Sequence, residues 1–113
     1  MDAKFSEARN RDLVDFCRAT GLRRHELKAL RAERVYRADG RLLVHVRQGK
    51  GGRPRNVPVL RSLESRVLEI ISTKKPDDLV ISRIPVRADI HGYRREYANA
   101  LYAELAGKGY HQR

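Results

Sequence analysis

Three short stretches of this chain carry residue types suited to work on a phosphodiester. The first, Ala19-Thr20-Gly21-Leu22-Arg23-Arg24-His25-Glu26-Leu27, is a glycine turn that feeds an arginine into the start of a helix. The second, Gly49-Lys50-Gly51-Gly52-Arg53-Pro54-Arg55-Asn56-Val57-Pro58, places a lysine on a glycine-rich hairpin. The third, His91-Gly92-Tyr93-Arg94, sets a histidine and an arginine three residues apart, on one face once a helix has begun. Phosphoryl transfer needs cations and donors fixed where negative charge spreads in the transition state. Arg23, Lys50, His91 and Arg94 would supply them without a metal. The sequence offers no carboxylate cluster of the kind that holds Mg²⁺, since Asp77-Asp78 stands alone in a solvated turn.

Each stretch taken alone has an ordinary reading. A histidine three residues before an arginine says almost nothing alone in a chain this rich in arginine. Arg23 would more commonly be a surface residue of a first helical turn, where the helix dipole does not favour a cation. Gly49 to Gly52 would serve as a plain flexible turn. It is not a nucleotide-binding phosphate loop, because the required Gly-Lys-Ser/Thr ending is absent. Only the ordered combination is specific.

The composition fits such a reading and excludes others. The 113 residues include 25 Lys+Arg against 14 Asp+Glu, a formal net charge of +11. The basic residues are mostly arginine, whose planar fork suits bidentate phosphate contacts better than a lysine point charge does. Such an excess is the electrostatic footprint of a nucleic-acid binder, or else of arginines that solvate helix faces. An anionic membrane surface fits less well, for lack of a long basic amphipathic helix carrying Trp or Phe. No apolar run approaches the ~18–20 residues of a membrane span, and the N-terminus lacks a basic-then-apolar signal pattern. A single cysteine, Cys17, excludes an internal disulfide framework and a cysteine-rich zinc site. A cytosolic or nucleoid setting is expected.

The elements that must position these residues follow from periodicity. Ala3 to Thr20 is expected to be helical, with Leu13, Phe16 and Cys17 on one face and Gly21 as its stop. Leu22 to Glu33 reads as a second helix, with Leu27 and Leu30 on its apolar face. Val35-Tyr36, Leu42 to Val46 and Asn56 to Val59 read as three short antiparallel strands, the first two joined through Ala38-Asp39-Gly40. Pro58 favours an edge or strand-end position. Ser62 to Ser72 is a third helix, Lys74 to Asp78 a loop, and Leu79-Val80-Ile81 a short extended piece. Ile90 to Ala106 is the last helix, with Gly107 and Gly109 expected to stop it. The predicted class is α+β, mainly α-helical with a small three-stranded antiparallel sheet, in one domain.

In that order the motifs resemble the catalytic domain of the tyrosine recombinases, the phage-integrase family of site-specific DNA recombinases. Thr20-Gly21-Leu22-Arg23 with Glu26-Leu27 is similar to the family's first arginine motif. Gly49-Lys50-Gly51-Gly52 with Arg55, Val57 and Pro58 is similar to its hairpin lysine motif, and His91 and Arg94 to its His-x-x-Arg. Asp89 to Ala98 is reminiscent of integrases from bacterial mobile elements. The resemblance runs from about Asp12 to Leu105 and implies the family's DNA breaking-and-rejoining fold. It implies that Arg23 and Arg94 bind the non-bridging oxygens of the scissile phosphate. Lys50 would protonate the leaving 5′-oxygen, and His91 would hydrogen-bond the phosphate or assist proton transfer. Glu26 would support the site's architecture, and Arg24, Arg47, Arg53, Arg55 and Arg95 would contact duplex DNA. Family members attack with a tyrosine to form a 3′-phosphotyrosyl link, act as homo-oligomers on DNA, and need no metal or nucleotide cofactor.

The sequence departs from the family at both ends. The family's second histidine or tryptophan and its tyrosine nucleophile lie well downstream of His-x-x-Arg, whereas the present sequence closes at Arg113. Tyr110 and His111 come too soon and lack the Leu-Gly-His type of setting. The N-terminal DNA-clamping domain has no counterpart. Residues 1–113 are therefore expected to be a single partial catalytic domain without a nucleophile, which binds DNA weakly, does not cleave it, and leaves an apolar face exposed. The competing expectation is a non-catalytic DNA-binding or regulatory module on the same fold. An RNA-binding domain is disfavoured, because Tyr36 is the only aromatic near the sheet.

Overall fold

An Asp-Gly pair with both residues at positive φ (Asp39 at 53° and Gly40 at 76°) closes a two-residue hairpin between β1 (Val35–Ala38) and β2 (Arg41–Val46). Positive φ at both central positions matches the right-handed twist of the flanking strands. A computed structural model describes residues 5–111, apart from the side chains of 108–111. β2 pairs antiparallel with β1 and with β3 (Arg55–Pro58), so the sheet order is β1-β2-β3. Along β2 the side chains alternate, with Leu42, Val44 and Val46 buried. Pro58 ends the edge strand β3, where its missing N–H breaks no ladder. The expected α+β architecture with a small antiparallel sheet is what the chain adopts.

Helix α1 (Arg11–Thr20) buries Leu13, Val14, Phe16 and Cys17 and packs on both α3 (Glu64–Ile71) and α4 (Ile90–His111). Phe16, Leu22, Leu27, Val44, Val59 and Val67 share one core between these helices and the sheet. Truncating a fully buried ring such as Phe16 to alanine costs about 3–5 kcal/mol in cores of this kind. Arg66 of α3 spans to Asp12 and Asp15 of α1, at 2.7 Å to each.

Three helices differ in extent by several residues from the periodicity. Of the helix expected from Ala3, the first two residues lie outside the described residues; Ala8–Asn10 is a 3-10 turn and the α-helix starts at Arg11. Asn10 leaves helical geometry (φ −124°, ψ 40°) and gives its side-chain N–H to the Ser6 carbonyl, a local bond that competes with the helix. The second helix, α2, is only Arg24–Ala29. Beyond it the backbone bonds to another part of the chain: Leu30 accepts from Val80 N–H, and Ala32 and Glu33 donate to the Asp78 and Pro76 carbonyls. The extended piece expected at Leu79 to Ile81 is the partner in this exchange, bridged antiparallel from Leu79 to Arg31. The last helix runs through Gly107 and Gly109 to His111 instead of stopping there. An interior glycine costs only about 1 kcal/mol relative to alanine.

Among the described residues, the large apolar side chains left exposed are Leu68, Val86, Tyr102 and Leu105. Only Tyr102 and Leu105 lie three apart on one helix face.

Candidate active site

The turn after α1 is built by Gly21. Its φ of +65° is the left-handed helix cap, and its N–H donates to the Cys17 carbonyl at 2.8 Å. A Cβ there would also collide with the ring of Tyr97 from α4. Two residues on, Arg23 is extended (φ −77°, ψ 159°) and caps α2. Its N–H donates to Glu26 Oε1 at 2.7 Å, and its Nη1 lies 3.2 Å from Glu26 Oε2. Arginine has no acceptor to return such a bond, so only the glutamate half of a capping box is made here. The turn leaves the Arg23 side chain 30% exposed beside a carboxylate with no exposure.

Glu26 is also the hairpin's anchor. Arg55 of β3 grips it with both terminal nitrogens, Nη1 at 2.5 Å and Nη2 at 3.1 Å. Burial alone would raise the Glu26 carboxyl, but the bonds from Arg55 and from the Arg23 backbone, with both charges, bring it below its ordinary value. Arg55 packs close on Gly49, where a Cβ would come within 2.6 Å of Nη1 and 2.8 Å of the Arg53 carbonyl. Gly49 N–H donates to that carbonyl, and Gly51 and Gly52 carry the turn at φ of +70° and +77°. Lys50 stands exposed at this tip.

The third stretch is set by Asp89, whose carboxylate accepts from Gly92 N–H at 3.0 Å and caps α4. Gly92 has no side chain because the Asp89 carboxylate occupies that space. His91 then faces solvent, Tyr93 is buried, and Arg94 turns towards Gly21, donating from Nε to its carbonyl at 3.0 Å. Arg94 is held below its ordinary pKa by burial first, then by the positive charges of Arg23 and Arg55, with Glu26 opposing. A pocket of about 270 Å³ is lined by Arg23, Arg24, Asp89, His91 and Arg94. The cations converging there outnumber their carboxylates, so a seated anion relieves repulsion.

Of the four residues expected to do chemistry, Arg23, His91 and Arg94 share this pocket. Lys50 does not line it and stands on the hairpin that Arg55 ties to Glu26. The residues expected at DNA divide. Arg47, Arg53 and Arg95 are exposed. Arg24 is instead engaged with carbonyls, donating to Pro85 at 3.1 Å, Val86 at 3.3 Å and Ala88 at 3.0 Å. Arg55 is engaged with Glu26. The capping role of Asp89 escaped the motif reading, although an aspartate just before a helical period is a recognisable start signal.

The described tyrosine hydroxyls lie elsewhere. Tyr93 donates to Glu7 at 2.8 Å, and Tyr97 donates to the Pro58 carbonyl at 2.6 Å, its phenol pushed up to about 12 mainly by burial. Tyr36 is on β1, the edge opposite β3, and Tyr102 is 75% exposed on α4. The side chains of Tyr110 and His111 lie outside the described residues. Among the described residues no group of three or more His, Cys, Asp or Glu is placed to hold a metal, and no helix is long and apolar enough to cross a membrane.

The model of the phage integrase family matches residues 1–106, so the chain belongs to that family of site-specific DNA recombinases. No curated protein and no solved structure matches it.

Proposed function

We propose that the chain is the phosphate-holding part of one tyrosine-recombinase catalytic domain, acting on duplex DNA. Arg23 and Arg94 take the two non-bridging oxygens of the scissile phosphate, and His91 donates to the same group. Lys50, carried in by its hairpin, gives its proton to the 5′-oxygen as the phosphorus–oxygen bond breaks. A tyrosine oxygen forms the new bond to phosphorus, and the resulting 3′-phosphotyrosyl link conserves the bond for rejoining. The attacking tyrosine is none of Tyr36, Tyr93, Tyr97 or Tyr102, and reaches the pocket from outside the described residues. Rejoining to a different strand requires at least two copies on DNA, which in a bacterial or mobile-element setting means assembly at the nucleoid.

The observation that carries this reading is the meeting of Arg23, His91 and Arg94 in one pocket, with Arg94 fixed by the Gly21 carbonyl and repelled by two other arginines. Duplex binding by the full chain tests it. Arg23→Ala and Arg94→Ala should each weaken binding and reduce the slope of log affinity against log salt by about one unit. Unchanged affinity in both variants would sink the reading.

A duplex nicked beside the scissile phosphate traps any covalent adduct. The full chain should form no adduct with it, and an adduct that disappears when Tyr36, Tyr93, Tyr97 and Tyr102 are replaced by phenylalanine would reassign the nucleophile to one of them.

The fact that Lys50 lies outside the pocket favours a second reading, a module that binds DNA without cutting it. In that case Lys50→Ala lowers the salt slope. As a general acid it leaves binding nearly intact and removes cleavage.

A further inference from the structure

A cleft of about 430 Å³ opens between α2 and β2, next to the phosphate pocket but sharing none of its lining. Its wall includes Glu26, the residue that binds Arg23 and Arg55. The floor is apolar, formed by Ala29, Leu30 and Val46. Around the rim the imidazoles are already tethered, His25 to the Gln48 carbonyl at 3.3 Å and His45 to Asn56 Oδ1 at 2.8 Å. Arg34 and Arg47 also line the cleft, and neither guanidinium pairs with a carboxylate among the described residues.

Arg18, Arg37, Arg41 and Arg66 have acidic partners, whereas Arg9, Arg11 and Arg83 line a second cleft without one among the described residues; what sets Arg34 and Arg47 apart is their cleft's place beside the Lys50 hairpin. An apolar floor beneath two free guanidiniums matches a sugar-phosphate unit. The deoxyribose face covers Ala29 and Val46 while the phosphate takes the arginine forks. Arg47 and Gln48 also lead directly into the Lys50 turn, so a backbone reaching Lys50 passes this cleft.

We infer that the α2–β2 cleft seats a second phosphate of the duplex, distinct from the scissile one and held by Arg34 and Arg47. The inference rests on the proposed function, because the ligand is the same DNA. Duplex binding by the full chain, followed by fluorescence anisotropy across a salt series, tests it. Arg34→Gln and Arg47→Gln should each weaken binding, and the double variant should lower the salt slope by about one unit, the share of one phosphate. Arg83→Gln is the control. Arg83 lines a separate cleft beside Arg9 and Arg11, at the end of α1 away from Gly21, and its slope should stay at the wild-type value.

A double variant that folds, by circular dichroism, and keeps the wild-type slope overturns the second seat alone and turns the cleft over to a non-nucleic-acid partner such as an acidic peptide. An equal loss from Arg83→Gln overturns it too, because the contacts are then a diffuse charge effect. A wild-type chain with no duplex affinity overturns the proposed function and the seat together.

Discussion

Arg55 donates both terminal nitrogens of its guanidinium to Glu26, joining β3 to α2 across 29 residues of chain. The carboxylate has no exposure, while the arginine keeps 35% of its side chain exposed. The pair fixes the hairpin that carries Lys50 relative to the turn that carries Arg23. It therefore bears on the distance between two candidate catalytic groups, Lys50 and Arg23.

Removing Arg55 strands a buried carboxylate. Taking away one partner of a buried charged pair costs roughly 3–5 kcal/mol, and the partial exposure of Arg55 lowers the expectation for Arg55→Ala to about 2–3 kcal/mol. Arg55→Lys keeps the charge but loses the fork, so it should fall between the two. Urea denaturation measures both. An Arg55→Ala protein within about 0.5 kcal/mol of wild type, the range of an ordinary surface substitution, would show that the pair contributes little.

The same pair sets an acid dependence. Glu26 has a folded pKa below its ordinary 4.5, so the unfolded chain binds the proton more readily. Its contribution to stability is then complete above the unfolded value and is lost as pH falls through the folded one. Urea midpoints should hold steady above about pH 5.5 and decline below about pH 4.5. Glu26→Gln should be less stable at neutral pH and show a shallower decline. A variant as acid-sensitive as wild type would move the effect to other carboxylates, of which Glu104, lowered in the same direction beside Arg41 and Arg61, is the first to examine.

Gly21 answers two demands at once, a φ of +65° and the close approach of Tyr97. The left-handed conformation alone costs a non-glycine residue about 1–2 kcal/mol, and the ring contact adds to it. Gly21→Ala should therefore lose more than about 2 kcal/mol, and part of that loss should vanish in a Tyr97→Leu background. Strict additivity of the two changes in a double-mutant cycle would mean that the backbone strain alone is responsible.

Much of this site was legible because its motifs are local. Gly21, the Gly49 to Gly52 turn and the alternation of Leu42, Val44 and Val46 each show their structural reason within a few residues of sequence. What stayed hidden depends on partners far along the chain. Nothing near Arg24 signals that it will bind carbonyls at 85–88, some sixty residues on, and nothing near Arg55 signals a buried glutamate 29 residues back. The early end of α2 is hidden for the same reason, since Leu30 and Ala32 leave the helix to bond with Val80 and Asp78. Composition marked every arginine as a possible phosphate contact, and only the fold separates those facing the pocket from those holding it together.

Arg24 gives the sharpest test of that separation. Its guanidinium holds the segment that leads into Asp89, and so sets where α4 begins and where His91 and Arg94 point. Arg24→Ala removes three hydrogen bonds to carbonyls, each worth about 1 kcal/mol net and somewhat more from a charged donor. DNA affinity should then fall, because the pocket loses its geometry. The salt slope should stay near the wild-type value, because no phosphate contact is lost. Amide exchange across residues 85–92 should quicken in step. If Arg24→Ala instead lowers the slope by about one unit and leaves exchange in that segment unchanged, Arg24 is a phosphate contact, and its carbonyl bonds give way when DNA binds.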